Sequence, residues 1–415
     1  MTIADRPTRA SHAVPEALPY ADGDPALRRA AVALFAAGVT TFAALYSTQA
    51  LLPLLSLRFR VSPGQATLSV SLATAGIAIG LVLAGPLSER VGRTAVMHAS
   101  LAASALLGIA CTLAPTWHVL LGLRSAQGVT LAGLPAVAAA YLREEVETGA
   151  YARVMGLYVA GTAMGGMSGR LITSGLADLI GWRGALAGIA AVAVTGAVVA
   201  RRLLPPSRRF VPAPAGPRAM LGAWGRVVRD PVLLALYAVG GTLMGAFVSV
   251  YNVTGFRLQA APYGLPVGVT GLVFTVYAFG SLGSGLGGRW AARWGQRPVV
   301  PAGAAVMAAG IALTLARPLA GIVLGLAVMT FGFFVAHAVA SGWVAARAQR
   351  HGATAQATAM YLLAYYAGSS VAGGLAGHVW TVRGWPGVVV LTLSLAATGF
   401  VAAVAIVRSA VAAPR

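Results

Sequence analysis

Lysine is missing altogether: all thirty basic residues of the 415-residue chain are arginine. Acids are scarce too, ten Asp and Glu in total, and charged residues make up 10% of the chain against 58% hydrophobic. Soluble domains carry about a quarter of their residues as charged side chains, so this chain has too few to clothe a water-facing surface. Without lysine there is no Gly-x-x-x-x-Gly-Lys-Ser/Thr phosphate loop, which excludes ATP-driven chemistry of that type. The single cysteine, Cys111, excludes an internal disulfide and any thiolate metal cluster. No His-Glu-x-x-His, no paired acids within the apolar runs and six scattered histidines argue against a membrane enzyme or a haem protein. No cofactor and no metal are expected.

What the chain has instead is apolar runs, recurring from Ala30 to Val407 at a mean hydropathy of +0.78. A bilayer span needs about 20 apolar residues. Breaks at Arg, Pro, Gly and acidic clusters give twelve spans: 30–55, 66–87, 95–113, 118–141, 152–177, 183–203, 231–255, 267–288, 297–315, 318–344, 355–379 and 385–407. The weakest cut is Ala316-Arg317-Pro318. The partner is therefore a lipid bilayer. The net charge of +20 is not a nucleic-acid footprint, because the arginines sit in short links between spans without interleaved aromatics.

Arginine placement sets the orientation. With the N-terminus inside, 22 arginines fall on cytoplasmic segments, six on the opposite side and two, Arg124 and Arg170, within spans. Positive charge collects on the cytoplasmic side, so both termini are expected there. Residues 1–27 read as a disordered tail, 28–204 as an N-terminal six-helix bundle, 205–230 as a Pro- and Arg-rich linker, 231–408 as a C-terminal bundle and 409–415 as a second tail.

The two halves are copies. At an offset of 203 residues Trp182 meets Trp385, Pro63 meets Pro266, Tyr158 meets Tyr361, and Gly85, Arg90 and Gly92 meet Gly288, Arg293 and Gly295. Two parallel six-span repeats are the architecture of a transporter with its cavity between the halves.

The link after the second span, Gly85-Pro-Leu-Ser-Glu-Arg-Val-Gly-Arg93, resembles the loop signature of the major facilitator superfamily, with Glu89 where Asp is usual. A degenerate copy, Gly288 to Arg297, has Ala292 in place of the acid. The fourth-span motif Arg124-x-x-Gln127-Gly128 resembles that of proton-driven antiporters in this superfamily. Gly161 to Arg170 is similar to the antiporter signature Gly-x-x-x-Gly-Pro-x-x-Gly-Gly, with Gly166 for Pro and Arg170 for the last Gly. These departures, with Leu45-Tyr-Ser-Thr-Gln49, resemble a bacterial inner-membrane subgroup labelled drug:proton antiporters or arabinose-efflux permeases. The resemblance implies an all-α membrane protein of twelve helices in two pseudo-symmetric bundles. It also implies a monomer that moves a small solute by alternating access coupled to protons, with efflux ahead of import or facilitation of sugars or other metabolites. A receptor or channel on the same scaffold is the reading from another class.

Polar residues inside the spans are the site candidates. An arginine at mid-bilayer costs roughly 2.5 to 3.5 kcal/mol on insertion scales and more on an isolated helix, so Arg124 and Arg170 are expected to face a cavity. Gln127 shares the helical face of Arg124. None of the ten acids lies in the middle of a span, and each guanidinium needs a carboxylate, backbone carbonyls or an anionic guest. An anionic or carboxylate-bearing substrate follows as the expectation for Arg124 and Arg170. Gln49 and Asn252 are 203 residues apart and should oppose one another; Tyr46, Tyr365 and Tyr366 add hydroxyls. His337 is either the titrating side chain or a neutral imidazole bonded to a neighbour. Gly85, Glu89, Arg90, Gly92, Arg93 and Arg293 are read as a conformational latch at the helix ends. The glycine runs 161–169 and 283–288 are read as close-packing surfaces.

Overall fold

The computed structural model describes residues 18–210, 212, 222 and 224–411, and among them there is no β-strand. Ten continuous helical stretches are long and apolar enough to cross a membrane. Two of them, Thr148–Leu203 and Thr354–Val411, are about twice the length a bilayer needs. Each is broken once, at Gly181 (φ 70°) and at Gly384 (φ 61°), a left-handed turn that glycine adopts freely. The two glycines are 203 residues apart, so the duplication includes the hairpin corner. Twelve crossings result: α1 (Pro25–Phe59), α2 (Pro63–Val91), α3 (Arg93–Thr112), α4 (Trp117–Glu145), α5 (148–180), α6 (182–203), α7 (Pro231–Gln259), α8 (Val267–Trp294), α9 (Gln296–Leu313), α10 (Leu319–Gln349), α11 (354–383) and α12 (385–411).

Local chemistry explains the starts. Asp24 caps α1 through the Ala26 N–H, and Asp230 caps α7 through the N–H groups of Val232 and Leu233. Ser62 and Gln65 form a reciprocal capping box ahead of α2, with Pro63 in the first turn. The weak cut at 316–318 is a real turn, because an arginine supplies what its carbonyls lack. Arg257 of α7 donates to Thr314 O at 2.5 Å and Ala316 O at 3.0 Å. Arg183 does the same for Ala114 O in the turn between α3 and α4, at 3.0 Å.

The expected tail at 1–27 is shorter than that. Tyr20 is buried, its N–H donates to Glu145 O at 2.7 Å, and its carbonyl accepts from Glu147 N–H at 3.1 Å. Residues 1–17 and 412–415 lie outside the described residues, as does most of 211–223. The start of the linker is tied to the same end of the N-terminal half: Tyr141 and Tyr20 donate to the carbonyls of Pro205 and Pro206, and Arg209 N–H donates to Glu145.

Helices pack where glycine lets backbones touch. A methyl at Gly161, Gly165 or Gly169 would lie 2.4, 2.2 or 2.6 Å from atoms of Phe35, Val39 and Ala43, so α5 lies flush on α1. In the second run Gly283 meets Phe331 O in the same way, whereas Gly285 and Gly288 have nothing within 4 Å. That run is a packing surface only on its Gly283–Gly287 face.

The two halves meet at the end away from the termini. There Thr67 donates to Gly374 O, Ser370 donates to Ser71 O, and Gly268 N–H donates to Asp178. Gly377 abuts Pro63, its added methyl 2.5 Å from the Pro63 carbonyl oxygen. At the end that carries the termini, no hydrogen bond or ion pair joins the halves among the described residues. The molecule is closed at the far end.

Candidate functional site

The site begins with a break in α1. The regular helix stops at Leu45, residues 46–48 form turns, and Gln49–Leu51 is a single 3₁₀ turn before the helix resumes at Leu52. A helix that stops inside a bilayer leaves carbonyls that lipid cannot satisfy. Arg124 of α4 satisfies them. Its Nη1 donates to Ala44 O (2.9 Å), its Nη2 to Leu45 O (2.5 Å) and its Nε to Ser69 O of α2 (3.2 Å). Nη1 also donates to Gln127 Oε1 (2.5 Å), and Gln127 Nε2 donates on to Ser104 O of α3 (3.0 Å). The cation sits at the negative end of a helix dipole, where its charge is stabilised as well as its N–H groups.

This corrects the expectation for Arg124. It is 1% exposed, four of its five N–H groups are engaged by the protein, and the space beside it amounts to about 10 Å³. That is room for about one water. Arg124 and Gln127 hold helices together rather than face a solute, because backbone carbonyls supply the negative partner that no acid does.

Arg170 solves the same problem differently. Its Nε donates to Gln49 Oε1 at 2.5 Å, and Nη1 donates to the carbonyl of Gly166 one turn back. Three rings surround the guanidinium: Tyr46 at 4.2 Å, Tyr277 at 4.6 Å and Phe274 at 5.2 Å. A desolvated cation over aromatic faces gains about 2 kcal/mol per good contact. No carboxylate among the described residues pairs with it, and besides these two bonds the Tyr277 hydroxyl lies within hydrogen-bonding reach of the guanidinium.

Gln49 carries this network across the halves. Its Nε2 donates to Asn252 Oδ1 at 2.6 Å, and Asn252 Nδ2 donates to Gly373 O at 3.2 Å. The two amides 203 residues apart meet directly. Both irregular segments flank Arg170: the α1 break supplies Tyr46, and a 3₁₀ stretch of α8, Leu272–Tyr277, supplies Phe274 and Tyr277. Mid-helix 3₁₀ turns mark hinges.

His337, Tyr365 and Tyr366 belong to an aromatic belt that continues from Tyr277 through the C-terminal half. His337 shares a hydrogen bond of 2.9 Å between Nδ1 and the Tyr361 hydroxyl, and stacks near Phe333 and Tyr365 at 5.6 and 4.8 Å. Tyr366 meets Tyr365 edge-on at 5.1 Å. Phe247, Tyr251, Phe274, Tyr277, Phe333 and Phe334 complete the belt and were not among the sequence candidates. Their signal is present: Phe247/Tyr251, Phe333/His337 and Tyr361/Tyr365 are i, i+4 pairs that share a helix face.

The family model of the major facilitator superfamily matches residues 34–267, more than half of the chain. The chain belongs to the major facilitator superfamily. It is 40% identical over 366 residues to the inner membrane transport protein YnfM of Escherichia coli, covering 88% of this chain and 87% of that one. It is 38% identical over 371 residues to the uncharacterized MFS-type transporter YybF of Bacillus subtilis, covering 88% and 90%. In fold it is similar to a bacterial homologue of the human lysosomal transporter Spinster crystallised inward-facing and occupied, with a TM-score of 0.73 at 13% identity over 92% of this chain and 96% of that one. It is a membrane transporter of this superfamily.

The superfamily loop lies at the end that carries the termini, and its ion pair is made by Arg93. Gly92 (φ 98°) makes the corner, and Arg93 donates from Nε and Nη2 to Glu144 of α4 at 2.8 to 3.2 Å and from Nη1 to Ser88 at 2.7 Å. Glu89 and Arg90 make no hydrogen bond or ion pair among the described residues, and Gly85 contacts nothing across the helix. Arg293, in the second copy, is exposed beside Trp294. The C-terminal counterpart of the Arg93–Glu144 pair is a cluster the sequence did not flag: Asp230 Oδ2 accepts from Arg347 Nε and bonds His351 Nε2, each at 2.8 Å. Burial alone would raise the Asp230 pKa; the bonds from Arg347, His351 and two backbone N–H groups outweigh it and lower the pKa from 3.8 to about 2.

Two outcomes follow. Arg124→Ala strands the carbonyls of Ala44 and Leu45 and destabilises the fold by about 3 kcal/mol or more, read as a large loss of thermal stability in detergent; Arg170→Ala loses less. Because the Asp230 pKa is lowered on folding, its contribution is complete above pH about 4 and is lost as pH falls through about 2. The difference in melting temperature between wild type and Asp230→Asn is therefore flat above pH 4 and shrinks as the pH falls below it.

Proposed function

We propose that this protein is a secondary active transporter of the bacterial inner membrane. In this reading both termini are cytoplasmic, and the protein exports a small organic anion in exchange for protons by alternating access. The observation that carries the substrate class is Arg170: a buried cation in contact with both halves, held by rings, one amide and one backbone carbonyl, with no acid among the described residues to neutralise it. A carboxylate supplies the missing counter-charge, and bidentate recognition suits a planar guanidinium. The surrounding rings favour a solute whose remaining surface is flat and apolar. Because Gln49 bonds both Arg170 and Asn252, an anion that draws the guanidinium away from Gln49 also loosens the bridge between the halves. That links occupancy to opening of the far end. In this reading the closed far end is the state in which the exporter takes up its solute from the cytoplasm.

His337 is the proton carrier in this reading. It is the one imidazole in the belt, and its Nδ1 bond to Tyr361 leaves Nε2 as the nitrogen that exchanges a proton. No carboxylate shares its surroundings.

The test is binding and exchange by the purified, reconstituted protein. In a thermal-shift screen of anionic, neutral and cationic solutes, organic anions stabilise the wild type, and Arg170→Ala weakens the best of them by about a hundredfold, the scale of losing a charged hydrogen bond. Competition by neutral and cationic solutes alone would sink the anion assignment. Counterflow in proteoliposomes separates a carrier from a receptor or channel, since only a carrier exchanges label against a gradient. For His337→Ala the expected result is exchange that continues but no longer responds to a pH gradient; full retention of the pH response dismisses the coupling role.

A further inference from the structure

A second built site lies on the outside of the C-terminal half, at the end that carries the termini. A cavity of about 470 Å³ opens between the ends of α7, α8, α9, α10 and α12, and Arg297, Arg347 and Arg350 line it together with Trp294 and Trp343. One acid touches this group: Asp230, which is bonded to Arg347 through Nε and to His351. Arg297 and Arg350 have no partner among the described residues, so the cavity holds a net positive charge.

A second hollow adjoins it. It measures about 250 Å³, shares Trp294 and Pro298 with the first, and runs along α9 and α10 between Trp290, Val299, Val306 and Phe331. Every residue that lines it is apolar or glycine. From Pro298 to Val306 it descends about 12 Å into the membrane at 1.5 Å per residue. Trp294 is 58% exposed and Val306 36% exposed, so the hollow opens towards lipid. A basic pocket at the membrane surface that continues into an apolar furrow has the shape of one molecule with a charged head and a hydrocarbon tail. Basic pockets between helix ends hold anionic headgroups, and tryptophan sits at that level.

The duplication shows that this is no by-product of the scaffold. At the same offset of 203 residues, Trp290, Trp294, Arg297, Trp343, Arg347 and Arg350 correspond to Leu87, Val91, Thr94, Ala140, Glu144 and Glu147. The N-terminal half has no arginine or tryptophan at any of these positions: two are acids and four are uncharged aliphatic residues or threonine. Only one half carries the set.

We propose that this is a binding site for an anionic phospholipid, its phosphate held by Arg297, Arg350 and the remaining donors of Arg347, and one acyl chain laid along α9 and α10. The site is separate from the transport site around Arg170. By holding the ends of α7 and α10, on which Asp230, Arg347 and His351 lie, a bound lipid steadies the end of the molecule where the halves are apart.

The test uses the full chain purified in detergent, titrated with phosphatidylglycerol, with phosphatidylcholine of the same chains, and with inorganic phosphate, read by native mass spectrometry and thermal shift. Phosphatidylglycerol is expected to bind the wild type about tenfold or more better than phosphatidylcholine, and Arg297→Gln/Arg350→Gln to remove that preference. Ala302→Trp fills the furrow from the exposed face of α9 and is expected to weaken phosphatidylglycerol while leaving the response to inorganic phosphate unchanged. Equal binding of the two lipids overturns the proposal, as does a preference that survives the double substitution. Inorganic phosphate that stabilises the wild type as strongly as the lipid, with Ala302→Trp silent, makes this a free-phosphate site and overturns the lipid assignment. Should the double variant fail to fold, a photoreactive phosphatidylglycerol on the wild type decides: adducts within 290–306 support the site, and adducts only elsewhere overturn it.

Discussion

An α-helix that stops inside an apolar slab strands carbonyl oxygens, and the N-terminal half is organised around one such stop. Where α1 ends at Leu45, the guanidinium of Arg124 bonds the carbonyls of Ala44 and Leu45, Ser69 of α2 and its own neighbour Gln127. Gln127 passes the connection to Ser104 of α3. Three helices are tied by one side chain that cannot lose its charge, and Gln127 adds the fourth. Lipid offers no competing donor, so the break persists only because the arginine is there. Everything the site does with Tyr46 and Gln49 depends on that break, which turns those two side chains out of the helical register and towards α5 and α7.

Arginines that donate to backbone carbonyls recur in this chain, and comparing them isolates one. Arg124, Arg183 and Arg257 all donate to carbonyls at helix ends or turns, so their positive charge compensates backbone dipoles. Arg170 is different. Its guanidinium bonds one amide oxygen and one carbonyl, and aromatic rings, Tyr277 with its hydroxyl among them, surround the rest. Rings stabilise a cation without cancelling its charge, so the positive potential at Arg170 stays available to a guest in a way that it does not at Arg124. With no acid in the middle of any span, nothing else in the membrane neutralises it.

The sequence shows the fold well and the site in part, for identifiable reasons. Spans and duplication are legible because lipid demands long apolar runs and because Trp, Pro and Arg recur at one offset. The α1 break is not, since Leu45-Tyr-Ser-Thr-Gln49 contains neither proline nor glycine and its cause is a tertiary bond from α4. Arg124 stands out as an anomaly, yet its partners are backbone oxygens, which no residue code displays; reasoning from side chains alone assigns it an anion it does not need. Gln49 and Asn252 were legible because the repeat geometry itself places them face to face. Asp230 and Glu144 look like ordinary charges at helix ends, and only the packing of α4 and α10 shows which arginine each one meets.

Duplication supplies the frame, and departures from it supply the chemistry. At the 203-residue offset, Phe247, Tyr251, Tyr277, Phe333 and Tyr365 correspond to Ala44, Thr48, Thr74, Thr130 and Thr162. Small or hydroxylated positions in one half therefore oppose aromatic rings in the other. The N-terminal half contributes the cation and the C-terminal half most of the rings that hold it. Two identical halves would place two equal half-sites about the pseudo-axis, each half-filled. Dividing the cation from its rings makes a single site that is complete only where the halves touch, so its integrity depends on how the halves sit. The ends that carry the termini follow the same logic with charge reversed: Glu144 binds Arg93 in one half, and Arg347, at the equivalent position, binds Asp230 in the other. Equivalent helix ends thus carry opposite charges, and those ends do not repel each other when the halves approach.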